Sequence, residues 1–181
     1  MLKLAQRVGR AKPSAIMVVA EKAKRLKAEG RDIISFSIGV PNFLPGPHVY
    51  EAVRNALDHD SGQYGSNRGS DALLDAFIAH MEQVGMAGYT RKNCAVGIGA
   101  KGVLYNLMEV LLDEGDAIAF PTPYWTSYLD IAEILGARIQ LLPCPPEQDY
   151  KLTPAQLDAA LAQKPKVFLF NNPSNPTGKV Y

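Results

Sequence analysis

Val167-Phe168-Leu169-Phe170-Asn171-Asn172-Pro173-Ser174-Asn175-Pro176-Thr177-Gly178-Lys179-Val180-Tyr181 decides the fold class. Its first four residues form an apolar run of the length and type that makes a buried strand. The asparagines, prolines and glycine that follow cannot continue a ladder, so the strand must break into a rigid loop at its carboxyl end. In open α/β sheets that edge is where ligands bind. A strand with this ending therefore predicts an α/β protein with a site on the loop.

Upstream the pattern repeats. The spacing predicts strands at 94–98, 117–120, 138–142 and 167–170, with helices between them closing at Leu112, Gly136 and Ala162. Strands alternating with helices imply right-handed crossovers and a mostly parallel sheet with helices on both faces. Before them, Ser14 caps a helix running to Glu29, Ile33 to Ile38 reads as a short strand, and Pro47 opens a helix to about Leu57. Ser61 to Gly69 is a Gly- and Ser-rich separator, and Ser70 caps a helix to about Val84. Two parts follow: an N-terminal arm over 1–62 and an α/β domain over 63–181.

Composition narrows the function classes. Apolar residues are 47%, charged residues 20% and the net charge is +1, so the chain can bury a core and offers no electrostatic case for nucleic acid. No stretch approaches the ~18 apolar residues of a membrane span and Met1 opens no signal peptide, which predicts a cytoplasmic location. Cys94 and Cys144 lack metal-type spacing and are expected to be buried thiols. His48, His59 and His80 form no ligand cluster, so no metal site is expected.

Gly97-Ile98-Gly99-Ala100-Lys101-Gly102 has the spacing of a dinucleotide loop, but that reading requires an acid at the end of the next strand. Asp116 stands at the start of it. The loop still places small residues at a helix N-terminus, where backbone N–H groups and the helix dipole favour a phosphate. Trp125 follows the next strand, where its face can stack on an aromatic ring. Three loops, 99–102, 121–125 and 171–178, are thus expected at one sheet edge around Gly99, Ala100, Lys101, Trp125 and Asn175.

The spacing N-x-P-x-N-P-T-G over 171–178 resembles the signature loop of the class I/II aminotransferases, the fold-type-I enzymes that use pyridoxal 5′-phosphate. Pro121-Thr122-Pro123-Tyr124-Trp125-Thr126-Ser127-Tyr128 and Ile38-Gly39-Val40-Pro41-Asn42-Phe43 resemble two further family segments, as does Tyr64-Gly65-Ser66-Asn67-Arg68-Gly69. The start Lys12-Pro13-Ser14 is similar to the bacterial aspartate-aminotransferase-like branch, in which the N-terminal segment closes over the site. The resemblance implies that Gly99, Ala100 and Lys101 hold the cofactor phosphate and Trp125 stacks on its ring. Asn175 would hydrogen-bond its phenolic oxygen, and Gly39 would let the backbone approach the substrate carboxylate. Tyr64 would reach the phosphate of a neighbouring subunit, implying a homodimer. In some members the equivalent of Lys101 also receives an acidic substrate side chain. Amino acids and 2-oxo acids are the implied small-molecule partners.

Pyridoxal chemistry needs a lysine amine for the Schiff base and an acid on the pyridine nitrogen. In the family both follow the N-P-T-G loop, the lysine in a Ser-x-x-Lys context that occurs nowhere here. No catalytic residue is therefore assigned, and the chain is expected to be an N-terminal portion of an aminotransferase, inactive alone. A non-catalytic relative that binds a phosphate ligand or a partner subunit is the alternative. A nucleotide-binding α/β domain is disfavoured by the missing acid.

Overall fold

The computed structural model describes residues 2–59, 62 and 64–181. Among them are six α-helices, α1 Ala15–Ala28, α2 Pro47–His59, α3 Asp71–Gln83, α4 Gly99–Leu111, α5 Ser127–Leu135 and α6 Pro154–Ala162, and three strands, β1 Ala117–Thr122, β2 Arg138–Pro143 and β3 Val167–Phe168. They fall into two compact units. One joins the N-terminal segment up to Ala15 with Gly99–Tyr181, and the other is Ile16–Ile98.

The first unit is α/β, with a parallel sheet in the order β2-β1-β3. Ile118 pairs with Ile139 on one side and Val167 on the other. Central β1 is the apolar axis of the fold: Ile118, Ala119 and Phe120 are all fully buried. Side chains alternate along a strand. Ile118 and Phe120 therefore face one way, packing with Met108 of α4, Leu112 just past it, and Tyr128, Ile131 and Ala132 of α5. Ala119 faces the other way and is equally buried, while α6 packs on β2. Both faces are covered, as a parallel sheet requires. Burying Phe120 alone contributes about 1.5–3 kcal/mol.

Local sequence fixes the helix ends. Thr153 Oγ1 accepts from the Gln156 N–H at 3.3 Å while Gln156 Oε1 accepts from the Thr153 N–H at 3.0 Å, a reciprocal cap on α6 worth about 1 kcal/mol. Ser70 Oγ accepts from the Leu73 N–H at 3.3 Å and starts α3. Gly136, with φ of 76°, ends α5.

In the second unit Leu74 and Cys94 are buried, and Phe77 meets Tyr89 edge-on with ring centroids 6.3 Å apart. Arg91 joins the chain after α3 back to it, with Nη1 2.6 Å from Asp71 Oδ2 and Nε donating to Asp75 Oδ1 at 2.6 Å. The Arg91 hydrogen bond holds the Asp75 carboxyl below its ordinary pKa. None of the described α2 side chains is buried. Residue 62, where the sequence predicts a division, falls inside this unit, and the flanking Ser61 and Gln63 lie outside the described residues.

Two expected strands do not form. Residues 94–98 fall with the second unit, where the Val96 N–H donates to Arg68 O at 2.8 Å but no partner strand is present among the described residues. Ile33 to Ile38 is likewise irregular. Apolar alternation supplies a strand pattern, but a strand exists only as a paired element. The run at 167–170 pairs over Val167–Phe168, with one further bond from the Leu169 N–H to Ala119 O at 2.9 Å before the chain turns.

Within the first unit the N-terminal segment is tied to two helix ends. Arg10 pairs with Glu114, just past α4, and Lys12 Nζ lies 2.7 Å from Glu133 Oε2, near the end of α5. Residues 10–12 are therefore held at the carboxyl ends of α4 and α5, away from the first turns of those helices. The acids that match Arg10 and Lys12 lie at those ends.

Candidate functional site

Parallel strands put the loops after β1 and β3 at the same sheet edge, and the first turns of α4 and α5 at that edge too. Gly99 opens α4 with φ of 66°, a left-handed angle that favours glycine. A Cβ there would meet nothing within 4 Å, so the angle and not crowding calls for glycine, and the space before the helix is open. Two residues on, the Lys101 ammonium lies 5.5 Å from the centroid of the Trp125 ring. The first turn of α4 and the loop after β1 are thereby in contact.

Aromatic packing carries the site inward. Trp125 meets Tyr128 edge-on at 5.6 Å, and Tyr128 meets Phe120 of the core at 6.1 Å. Phe120 also meets Tyr124 at 4.9 Å. Tyr124 and Tyr128 line a cavity of ≈ 20 Å³ with Tyr150, Ser174 and Asn175, about the room one water needs. Tyr128 therefore belongs to both sets: it touches Trp125 and shares a wall with Asn175. Burial, then the charges of Glu133 and Asp130, push the Tyr124 phenol above its ordinary pKa, and burial does the same to Tyr128. Both hydroxyls are neutral donors at physiological pH.

The loop that bears Asn175 is built by its own polar residues. The Asn175 N–H donates to Asn171 Oδ1 at 2.9 Å, and the Tyr181 N–H to Asn172 Oδ1 at 3.1 Å. Side-chain amides replace ladder partners here, which is the local reason the strand stops.

The structure brings Lys101 to Trp125, places Asn175 at the cavity, and joins the two groups through Tyr128. Gly99, Ala100, Lys101 and Trp125 do not line that cavity themselves. Gly39 and Tyr64 lie in the second unit; Tyr64 is fully exposed, and a Cβ on Gly39 would meet nothing within 4 Å. Sequence reading passed over Tyr124, Tyr128 and Tyr150. The first two were legible only as aromatic residues flanking the tryptophan in the Pro121–Tyr128 run. Tyr150 had no signal, since nothing in its identity announces the left-handed φ of 57° that it adopts. The dinucleotide reading loses its acid: β1 ends at Thr122, and Asp116, before β1, lies 2.6 Å from Lys166 Nζ. Among the described residues no cluster could hold a metal ion, and no helix is long and apolar enough to cross a membrane. Both cysteines are buried and free.

Comparison with known proteins agrees with this fold. The chain is 37% identical over 180 residues to an aspartate aminotransferase of Geobacillus stearothermophilus, covering 99% of this chain and 46% of that protein. It is 36% identical over 181 residues to an aspartate/prephenate aminotransferase of Cereibacter sphaeroides, covering 45% of it. A solved aspartate aminotransferase from Thermus thermophilus with maleate superposes with a TM-score of 0.93 at 32% identity, over all of this chain and 47% of that one. The chain thus spans about half the length of the relatives it matches. Residues 31–181 match the family model for aminotransferase class I and II, and the chain belongs to that family.

Proposed function

We propose that this chain supplies the phosphate-binding and ring-binding surface of a pyridoxal 5′-phosphate-dependent aminotransferase, which moves an amino group between an aspartate-like amino acid and a 2-oxo acid. The observation that carries the reading is the continuity of the α4 first turn, Lys101, Trp125, Tyr128 and the Asn175 loop within one unit. The residues fit the group. A helix N-terminus with an ammonium beside it suits a dianion. The indole face beside that ammonium suits a pyridine ring, and the Asn175 carboxamide offers a donor for the phenolic oxygen. The ≈ 20 Å³ cavity has room for a water rather than a ring, and Trp125 would offer the ring its face.

When bound, the cofactor supplies an electron sink for bonds at the amino acid α-carbon. This chain's part is to bind and orient. Lys101 and the first N–H groups of α4 would hold the phosphate, Trp125 would offer its face to the ring, and Tyr124 and Tyr128 would present neutral hydroxyls beside it. Gly39 admits the substrate carboxylate, and the exposed Tyr64 meets the phosphate of a second copy in a homodimer. The names of the relatives and the cation at Lys101 support an aspartate-like substrate. The free thiols support a cytoplasmic location.

The 181 residues alone are inactive in this reading, because no Ser-x-x-Lys offers an amine to the aldehyde. Pyridoxal phosphate followed by borohydride is expected to label lysines sparsely and without preference. One stoichiometric phosphopyridoxyl-lysine, with turnover of aspartate and 2-oxoglutarate, would overturn the inactivity. An aldehyde-free analogue, 4′-deoxypyridoxine 5′-phosphate, should quench Trp125, the only tryptophan. Absence of saturable quenching would remove the cofactor reading.

A further inference from the structure

The Asn175 loop takes its shape from itself and its position from elsewhere. Within it the Ser174 N–H donates to Lys179 O at 2.9 Å and the Gly178 N–H to Ser174 O at 2.7 Å. These bonds close the loop but do not anchor it. Two contacts do: the Lys179 ammonium pairs with the Asp149 carboxylate, and the Tyr181 hydroxyl accepts from the Leu152 N–H. Both reach one short turn between β2 and α6.

That turn is held in an uncommon shape. Asp149 and Tyr150 have φ of 53° and 57°, two consecutive left-handed residues with side chains. Such backbone persists only where its surroundings over-determine it, and such residues gather at functional sites. Here the shape sets the Asp149 carboxylate on Lys179 while Tyr150 joins the wall of the cavity that Asn175 also lines. Lys151 also faces Asp149, more loosely, at 3.6 Å.

We propose that Asp149 is a positioning residue: through its ion pair with Lys179 it sets where the 171–179 loop presents Asn175. The consequence for a bound ring rests on the cofactor reading above; the tie itself does not. The Lys179 hydrogen bond holds the Asp149 carboxyl below its ordinary pKa. The tie is therefore intact at neutral pH and is lost as pH falls through that lowered value. Both side chains are partly exposed, so salt screens the pair.

Hydrogen–deuterium exchange on the whole chain tests this without cofactor. Asp149→Asn removes the charge and keeps a residue that tolerates the left-handed backbone. Lys179→Gln removes the partner charge and Lys179→Arg retains it. At neutral pH and low salt, exchange in 171–179 should rise about two- to fivefold in Asp149→Asn and in Lys179→Gln. Lys179→Arg should stay near wild type, and the double variant Asp149→Asn/Lys179→Gln should be no faster than either single one. Exchange over β1 and α6 should not change. Unaltered loop exchange in Asp149→Asn, or additive effects in the double variant, overturns the proposal. Quenching of Trp125 by 4′-deoxypyridoxine 5′-phosphate is read in parallel. If wild type fails to bind it, the cofactor reading falls while the exchange data still decide the role of Asp149.

Discussion

Replacing Lys101 by Met keeps the aliphatic stem over the Trp125 ring and removes only the charge. The ammonium sits 5.5 Å from the indole centroid at an exposed site, a contact worth about 0.5–1 kcal/mol. Against a phosphate about 4 Å away in a water-like dielectric it gains about 1 kcal/mol per unit charge, or about 1.5–2 kcal/mol for a phosphomonoester. Reaching the phosphate costs most of the indole contact, so the net loss in Lys101→Met is about 1 kcal/mol, close to fivefold in affinity. The helix N-terminus still contributes about 0.3–1 kcal/mol, so binding weakens without vanishing. The assay is Trp125 fluorescence titrated with 4′-deoxypyridoxine 5′-phosphate, with 4′-deoxypyridoxine as the control that lacks phosphate. At 1 M salt, where the Debye length is about 3 Å, wild type should approach the variant. Equal affinity in both proteins at low salt, or an equal loss for the phosphate-free control, would refute the assignment of Lys101 to the phosphate.

Trp125→Ala should cost about 0.5–1.5 kcal/mol in binding of the same analogue, measured by calorimetry because the reporter is gone, and should leave inorganic phosphate binding unchanged. Asp116 is held below its ordinary pKa chiefly by the Lys166 hydrogen bond, and Lys166 is raised by the same bond. The aspartate's stabilising contribution is therefore present above the ordinary carboxylate range and fades as pH falls through the lowered value. The lysine's contribution is present below the ordinary lysine range and fades as pH rises through the raised value. Asp116→Asn should flatten the acid limb of the thermal midpoint against pH; an unchanged limb would refute this. Finally, Phe36, Val110 and Ile98 are 93%, 83% and 98% exposed, more apolar surface than a soluble monomer usually shows. The isolated chain should bind anilinonaphthalene dyes and associate as concentration rises, and reversible cooperative unfolding of a monomer would contradict that.

The sequence by itself determined the family, the helices and the strands that found partners. Caps such as Ser70 and Thr153 act within a few residues, so their helices begin where the residues say. The loop after β3 was legible because Asn171, Pro173, Asn175, Pro176 and Gly178 leave the backbone few alternatives. Tertiary structure alone decided the rest. Residues 94–98 carry a strand pattern but pair with no strand among the described residues, since pairing is a property of two segments and not of one. Arg10 and Lys12 meet Glu114 and Glu133, partners that lie far along the chain. The tie from Asp149 to Lys179 bridges two loops whose meeting depends on β2 and β3 flanking the same central strand. No local pattern encodes such a meeting, because it arises from the sheet order that burial of Ile118, Ala119 and Phe120 enforces.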